Sequence, residues 1–134
     1  MIYYKKGYKY QLTRDFTYQL SFTIPNAIEQ EWFSITKSGL LKAKRGYAWD
    51  GPSGPTIDTK NFMRGSLEHD ILYQCIRLEL LSRSYKNLAD LELKKICLED
   101  GMCKLRAWWV FKALDGFADF AIMPSNESKE LVAP

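Results

Sequence analysis

Over residues 16–24, Phe16, Tyr18, Leu20, Phe22 and Ile24 alternate with Thr17, Gln19, Ser21 and Thr23. A period of two places every bulky apolar group on one face of a pleated strand. Pro25-Asn26 ends that strand, because proline offers no amide to a ladder and asparagine tolerates turn geometry. Residues 32–36 and 40–44 are shorter strands joined through Lys37-Ser38-Gly39, with a glycine available for positive φ, and together they predict a hairpin. The first fifty residues therefore predict an antiparallel meander of three or four strands with one wet face.

Residues 46–58 hold three Gly and two Pro, so an irregular loop is expected, excluded from helix and from central strand. Tyr47, Trp49 and Ile57 within it predict a loop that is ordered and pinned by its aromatics. From about residue 62 the period becomes helical. Leu67, Ile71 and Cys75, with Leu72, Ile76 and Leu80 one position further on, form an apolar stripe. Ser66 is expected as N-cap or first-turn residue of this helix. A polar break over residues 82–87 leads to a second helix from about 88 to 100, with Asn87 as N-cap, Gly101 as its stop, and Leu88, Leu91, Leu93, Ile96 and Leu98 on its apolar side. A third helix over 105–120 carries Trp108, Phe111, Ala113, Leu114 and Phe117. The expected fold is α+β: an N-terminal antiparallel meander, an ordered Gly/Pro loop, and three helices packed on one face of the sheet. It forms a single domain over residues 1–124, followed by a polar tail over 125–134.

Composition narrows the chemistry. In 134 residues, 46% are hydrophobic and 26% charged, the proportions of a globular chain, which excludes a disordered or low-complexity class. Nineteen basic against sixteen acidic residues leave +3, too weak a field to identify a partner. One histidine and three cysteines without Cys-x-x-Cys spacing exclude zinc-finger, multi-histidine zinc and iron–sulfur sites. The odd cysteine count predicts buried, reduced thiols, with a Cys97–Cys103 bridge as the alternative. No apolar run reaches the ~20 residues of a membrane span, and no apolar segment follows the basic residues near Met1 as in a cleaved signal, so a cytoplasmic product is expected. Lys42, Lys44 and Arg45 beside Tyr47 and Trp49 read as a wet strand face, and no nucleic-acid partner is expected. No Gly-x-Ser-x-Gly elbow or phosphate loop is present. Trp108-Trp109, next to Lys104 and Arg106, reads equally as core or as an aromatic-basic rim for lipid or protein.

The candidate chemistry lies in Ser66-Leu67-Glu68-His69-Asp70-Ile71-Leu72-Tyr73, continued to Arg77. His69, Tyr73 and Arg77 recur at i, i+4 and i+8 and form a polar ridge on one helix. Asp70 points roughly 100° away from His69 and is unsuited to orient it. Asp90, near the start of the second helix, is the natural orienting carboxylate if the two helices pack antiparallel. Asp70 is then the candidate ligand for a cation, with loop carbonyls that suit calcium better than zinc. The competing reading is a buried His-Asp-Tyr-Arg network that locks the loop onto the helix.

Tyr47-x-Trp49-Asp50-Gly51-Pro52-Ser53-Gly54-Pro55, Arg64-Gly65-Ser66-x-x-His69-Asp70-x-x-Tyr73, Ala89-Asp90 and Gly101 together resemble a small family of phage and bacterial domains of unknown function, over about residues 40–117. The resemblance implies phage or prophage origin and supplies no activity. Trp49, Asp50 and Ser53 of that loop, with Arg77 of the polar ridge, are the candidate binding residues, and other phage proteins or a cell-envelope substrate are the expected partners. His-Asp-x-x-Tyr with a distant Asp on the next helix is also similar to the helix pair of secreted phospholipases A2. That similarity implies His69 as base, Asp70 as calcium ligand, Asp90 as orienter and Tyr73 as support. Glu68 stands where those enzymes have a cysteine, and this loop differs from theirs.

Overall fold

The computed structural model describes residues 4–5, 10–49 and 60–121, with side chains described over 10–49 and 63–112. These fall into two compact units, one ending at Asp50 and the other beginning at Gly51. The fold is α+β, with antiparallel strands in two sheets followed by three helices.

In the first unit, strands β3 (Phe16–Gln19), β4 (Ile28–Glu29), β5 (Phe33–Ile35) and β6 (Leu40–Ala43) form an antiparallel sheet in the order β3-β6-β5-β4. Its register produces two apolar rows, Phe16–Ala43–Phe33 and Tyr18–Leu41–Ile35–Ile28, on one face, while Thr17, Lys42, Ser34 and Glu29 share the other. Lys42 thus belongs to the wet face. The expected hairpin forms through Gly39 at φ 94°, whose amide donates to the Thr36 carbonyl at 2.9 Å. The 16–24 strand is shorter than expected. Ladder pairing stops at Gln19, although Leu20 and Ile24 stay buried and donate their amides to the Gly39 and Lys37 carbonyls at 2.8 and 3.1 Å. The apolar alternation outlasts the partner strand, which has already turned.

A second sheet joins β1 (Tyr4–Lys5), β2 (Tyr10–Leu12) and β7 (Ala48–Trp49) in the order β1-β2-β7. Residues 48–49 were expected in the irregular loop; they form a strand instead, Trp49 opposite Tyr10 with ring centroids 5.7 Å apart. Two residues are too few for periodicity to reveal. Gly46, at φ 98°, makes the preceding corner, and a Cβ there would come within 2.9 Å of the Trp32 ring. The rest of the Gly/Pro loop, over 50–59, lies outside the described residues.

The second unit contains α1 (Lys60–Arg77), α2 (Lys86–Glu99) and α3 (Lys104–Ala121), with a 3-10 turn at Arg83–Tyr85 before α2. Two capping expectations fail. Ser66 lies inside α1 and donates back to the Met63 carbonyl at 2.9 Å, while Asn87 sits within the first turn of α2, the cap position belonging to Tyr85, which makes no side-chain bond there. The capping role passes to Ser82, whose Oγ accepts from the Ser84 amide at 3.2 Å and starts the 3-10 turn.

Both α1 and α2 end in the same way. Leu80 donates to the Cys75 carbonyl and Glu79 to that of Ile76; Met102 donates to that of Cys97 and Gly101 to that of Leu98. These are the paired bonds of a Schellman stop, which needs a left-handed residue at its corner. Gly101 supplies it at φ 97°, as expected, whereas the first stop uses Glu79 at φ 61°. A Cβ in that conformation costs roughly 1 kcal/mol. Glu79→Gly is expected to raise stability by about 0.5–1 kcal/mol, and Gly101→Ala to lower it by a similar amount, both read by chemical denaturation.

Helices α1 and α2 run antiparallel and close together. A Cβ on Gly65 would lie 2.5 Å from Leu93 Cδ1 and 3.2 Å from Cys97 Sγ, so a larger residue would force those side chains to shift. At one end Arg64 bonds Asp100 through Nε and Nη2 at 3.0 and 2.9 Å and reaches Glu99 at 3.0 Å. Leu93 and Cys97 also pack with Met102 and with Ala107 and Val110 of α3. Leu88 and Leu91, expected on the apolar side of α2, are 38% and 42% exposed.

Candidate functional site

The close approach of α1 and α2 sets the geometry of the histidine. His69 Nε2 lies 2.7 Å from Asp90 Oδ1, and the Tyr73 hydroxyl donates to the same oxygen at 2.5 Å. Lys86, one turn before Asp90 on α2, donates from Nζ to Oδ2 at 3.2 Å. The His69 and Tyr73 rings, one turn apart on α1, stand with centroids 3.9 Å apart and planes tilted by 43°. The carboxylate of Asp90 is fully buried, and His69 and Tyr73 are 5% and 4% exposed.

Electrostatics assign the proton on the ring. Burial by itself would push the Asp90 carboxyl up, yet the hydrogen bond and charge of His69, the Tyr73 hydroxyl and the Lys86 ammonium together hold it below the ordinary aspartate value. Asp90 is therefore an anion at neutral pH and can only accept, so His69 Nε2 carries the hydrogen it donates. In the neutral ring the lone pair is then on Nδ1, the nitrogen turned away from the carboxylate. A braced imidazole of this kind can take a proton from water, and the anion beneath it stabilises the imidazolium that results.

Of the residues singled out in the sequence, the structure brings His69, Tyr73 and Asp90 into one cluster. Arg77, the third member of the predicted ridge, is buried at the end of α1 and takes no part in the bonds to Asp90. Asp70 is half-buried beside His69. Among the described residues no three His, Cys, Asp or Glu side chains converge as a cation site. The loop carbonyls expected to complete a calcium site with Asp70 lie outside the described residues. Trp49 belongs to β7, and Asp50 and Ser53 lie outside the described residues. Ser66 donates its hydroxyl to the Met63 carbonyl within α1. The three cysteines are free thiols, so the Cys97–Cys103 alternative does not hold. Cys75 and Cys97 are buried and pushed up to about 12, chiefly by that burial, and are inert; Cys103 is exposed.

Two contributors were missed in the sequence. Lys86 was legible as an i, i+4 partner of Asp90. Glu68, beside His69, is fully buried on α1, and neither carboxyl oxygen has a hydrogen-bond partner. Burial first, then the charges of Glu92, Asp90 and Asp70, push its carboxyl well above the ordinary value. Its signal, a charged residue in register with an apolar stripe, is indistinguishable in sequence from a solvated flank.

Comparison with known protein families, with curated proteins and with solved structures finds no match to this chain.

Glu68 keeps its proton in the folded state at pH values where the unfolded carboxyl, near about 4.3, has lost it. The folded protein then binds the extra proton, so this group's contribution is complete below that value and is lost as pH rises through the folded pKa. Glu68→Gln removes the titration. Its Tm is expected to exceed that of the wild type at pH 8, by about 4 °C for each kcal/mol, with the gap closing toward pH 4. A gap of the same size at both pH values would contradict the assignment.

Proposed function

We propose that this is a phage or prophage protein whose His69–Asp90 pair activates water to hydrolyse an ester or related bond of the cell envelope. The observation that carries the reading is the bond from Asp90 to His69 Nε2 at 2.7 Å, shared with Tyr73 on the same oxygen, since it leaves Nδ1 as the basic nitrogen. Water loses a proton to Nδ1 as its oxygen attacks the carbonyl carbon, and the imidazolium returns that proton to the leaving alkoxide. Asp90 stays ionised throughout and Tyr73 holds its orientation. No step depends on a metal. Asp70 is proposed as a calcium ligand only as an arm of the test. The phage origin rests on the motif resemblance from Tyr47 to Gly101.

A second reading has its own support. Complete burial of Asp90 and near-complete burial of His69 suit an inert polar lock between two helices. In that case the protein is a non-catalytic virion or accessory component.

His69→Gln retains an N–H for Asp90 but removes the base, and Asp90→Asn retains the shape but removes the charge. With short-chain esters, phospholipid and peptidoglycan as substrates, with and without calcium, both variants are expected to fold and to lose about 10²–10⁴-fold in turnover. Equal turnover in all three proteins would refute the hydrolase. An inactive wild type, with Asp90→Ala unfolding about 3–5 kcal/mol more easily, would identify the lock.

A further inference from the structure

The first two turns of α3 carry two apolar faces, and the α2 contact accounts for one of them. Ala107 and Val110 are buried against Leu93, Cys97 and Met102. At roughly 100° per residue, Leu105, Trp108, Trp109 and Lys112 fall within an arc of about 100° whose centre lies about 180° from that buried pair. Leu105 is 76% exposed, Trp108 48% and Trp109 44%. Neither tryptophan is core, which settles the ambiguity their adjacency left in the sequence.

The charge along these turns is predominantly positive. Residues 102–115 contain Lys104, Arg106 and Lys112 against one acid, Asp115, a segment charge of +2. Lys112 lies within the arc, its ammonium 6.0 Å from the Trp108 ring centroid. Lys104 and Arg106 flank the arc on opposite sides.

We propose that this face of α3 docks on an anionic lipid surface. Tryptophan is the residue best suited to the headgroup level, with an apolar body for the acyl boundary and an indole N–H for water. Leucine adds apolar depth, and lysine and arginine lay their stems along the apolar surface while their charges meet lipid phosphates. No helix among the described residues is long and apolar enough to cross a membrane, so α3 lies in the interface plane. A second copy of this chain would have to bring three cations against three like cations across an isologous contact, which the charge disfavours. The inference does not depend on the His69–Asp90 reading.

The full chain is tested by co-sedimentation with vesicles of phosphatidylglycerol mixed into phosphatidylcholine, and with phosphatidylcholine alone. Binding to the anionic vesicles is expected, weakened by salt and much reduced on the zwitterionic ones. Trp108→Ala/Trp109→Ala should weaken it by about tenfold or more, and Lys104→Gln and Lys112→Gln by about fivefold each, with Tm unchanged because all four side chains are exposed. His69→Gln should bind as the wild type does, which separates this result from any failure of the hydrolase. Absence of wild-type binding, binding insensitive to the tryptophans, or a dimer that the double tryptophan variant converts to monomer would each overturn the proposal.

Discussion

A buried anion with three donors organises the helical unit. Asp90 has no contact with water, so its charge is tolerable only because His69, Tyr73 and Lys86 supply what water otherwise would. Each donor depends on a different feature of the chain. His69 and Tyr73 must lie one turn apart on α1, Lys86 must lie one turn before Asp90 on α2, and the two helices must approach closely enough for a short imidazole to bridge them. Gly65 eases that approach, because a Cβ there would press on the Leu93 and Cys97 side chains. The Arg64 bonds to Asp100 and Glu99 hold the far end of the same helix pair in register.

The same interface holds a carboxyl with the opposite solution. Glu68, one residue from His69, has no donor and is driven to remain neutral, while Asp90 is surrounded by donors and remains charged. Two acids within one helix pair are thus separated in protonation by their partners. The charge of Asp90 is itself one of the causes that keep Glu68 neutral.

The sheet unit follows a simpler logic. Its apolar rows run straight across four strands, and its corners depend on two glycines in left-handed conformation. In its four-stranded sheet, Lys42 sits on the wet face with Thr17 and Ser34. The tryptophan face of α3 is the other place where the burial pattern demands an explanation beyond folding.

Local regularities were legible wherever one periodicity lasted several residues. The alternation of 16–24, the hairpin around Gly39, the stripe on α1, the stop at Gly101 and the poverty of metal ligands could all be read from residue order, because each depends on neighbours in the chain. The pairing of His69 with Asp90 was legible as a possibility, given two adjacent helices and a carboxylate at the right end of the second. Strands two residues long were not, since β4 and β7 exist only through partners elsewhere in the chain. Nor were the burial of Glu68, the exposure of Leu88, Leu91 and both adjacent tryptophans, or the exclusion of Arg77 from the cluster. A helix presents all its faces equally in sequence, and which one meets another helix is settled by how closely the backbones can pack. Here Gly65 lies at that contact, and across the same helix pair Asp90 finds its donors while Glu68 finds none.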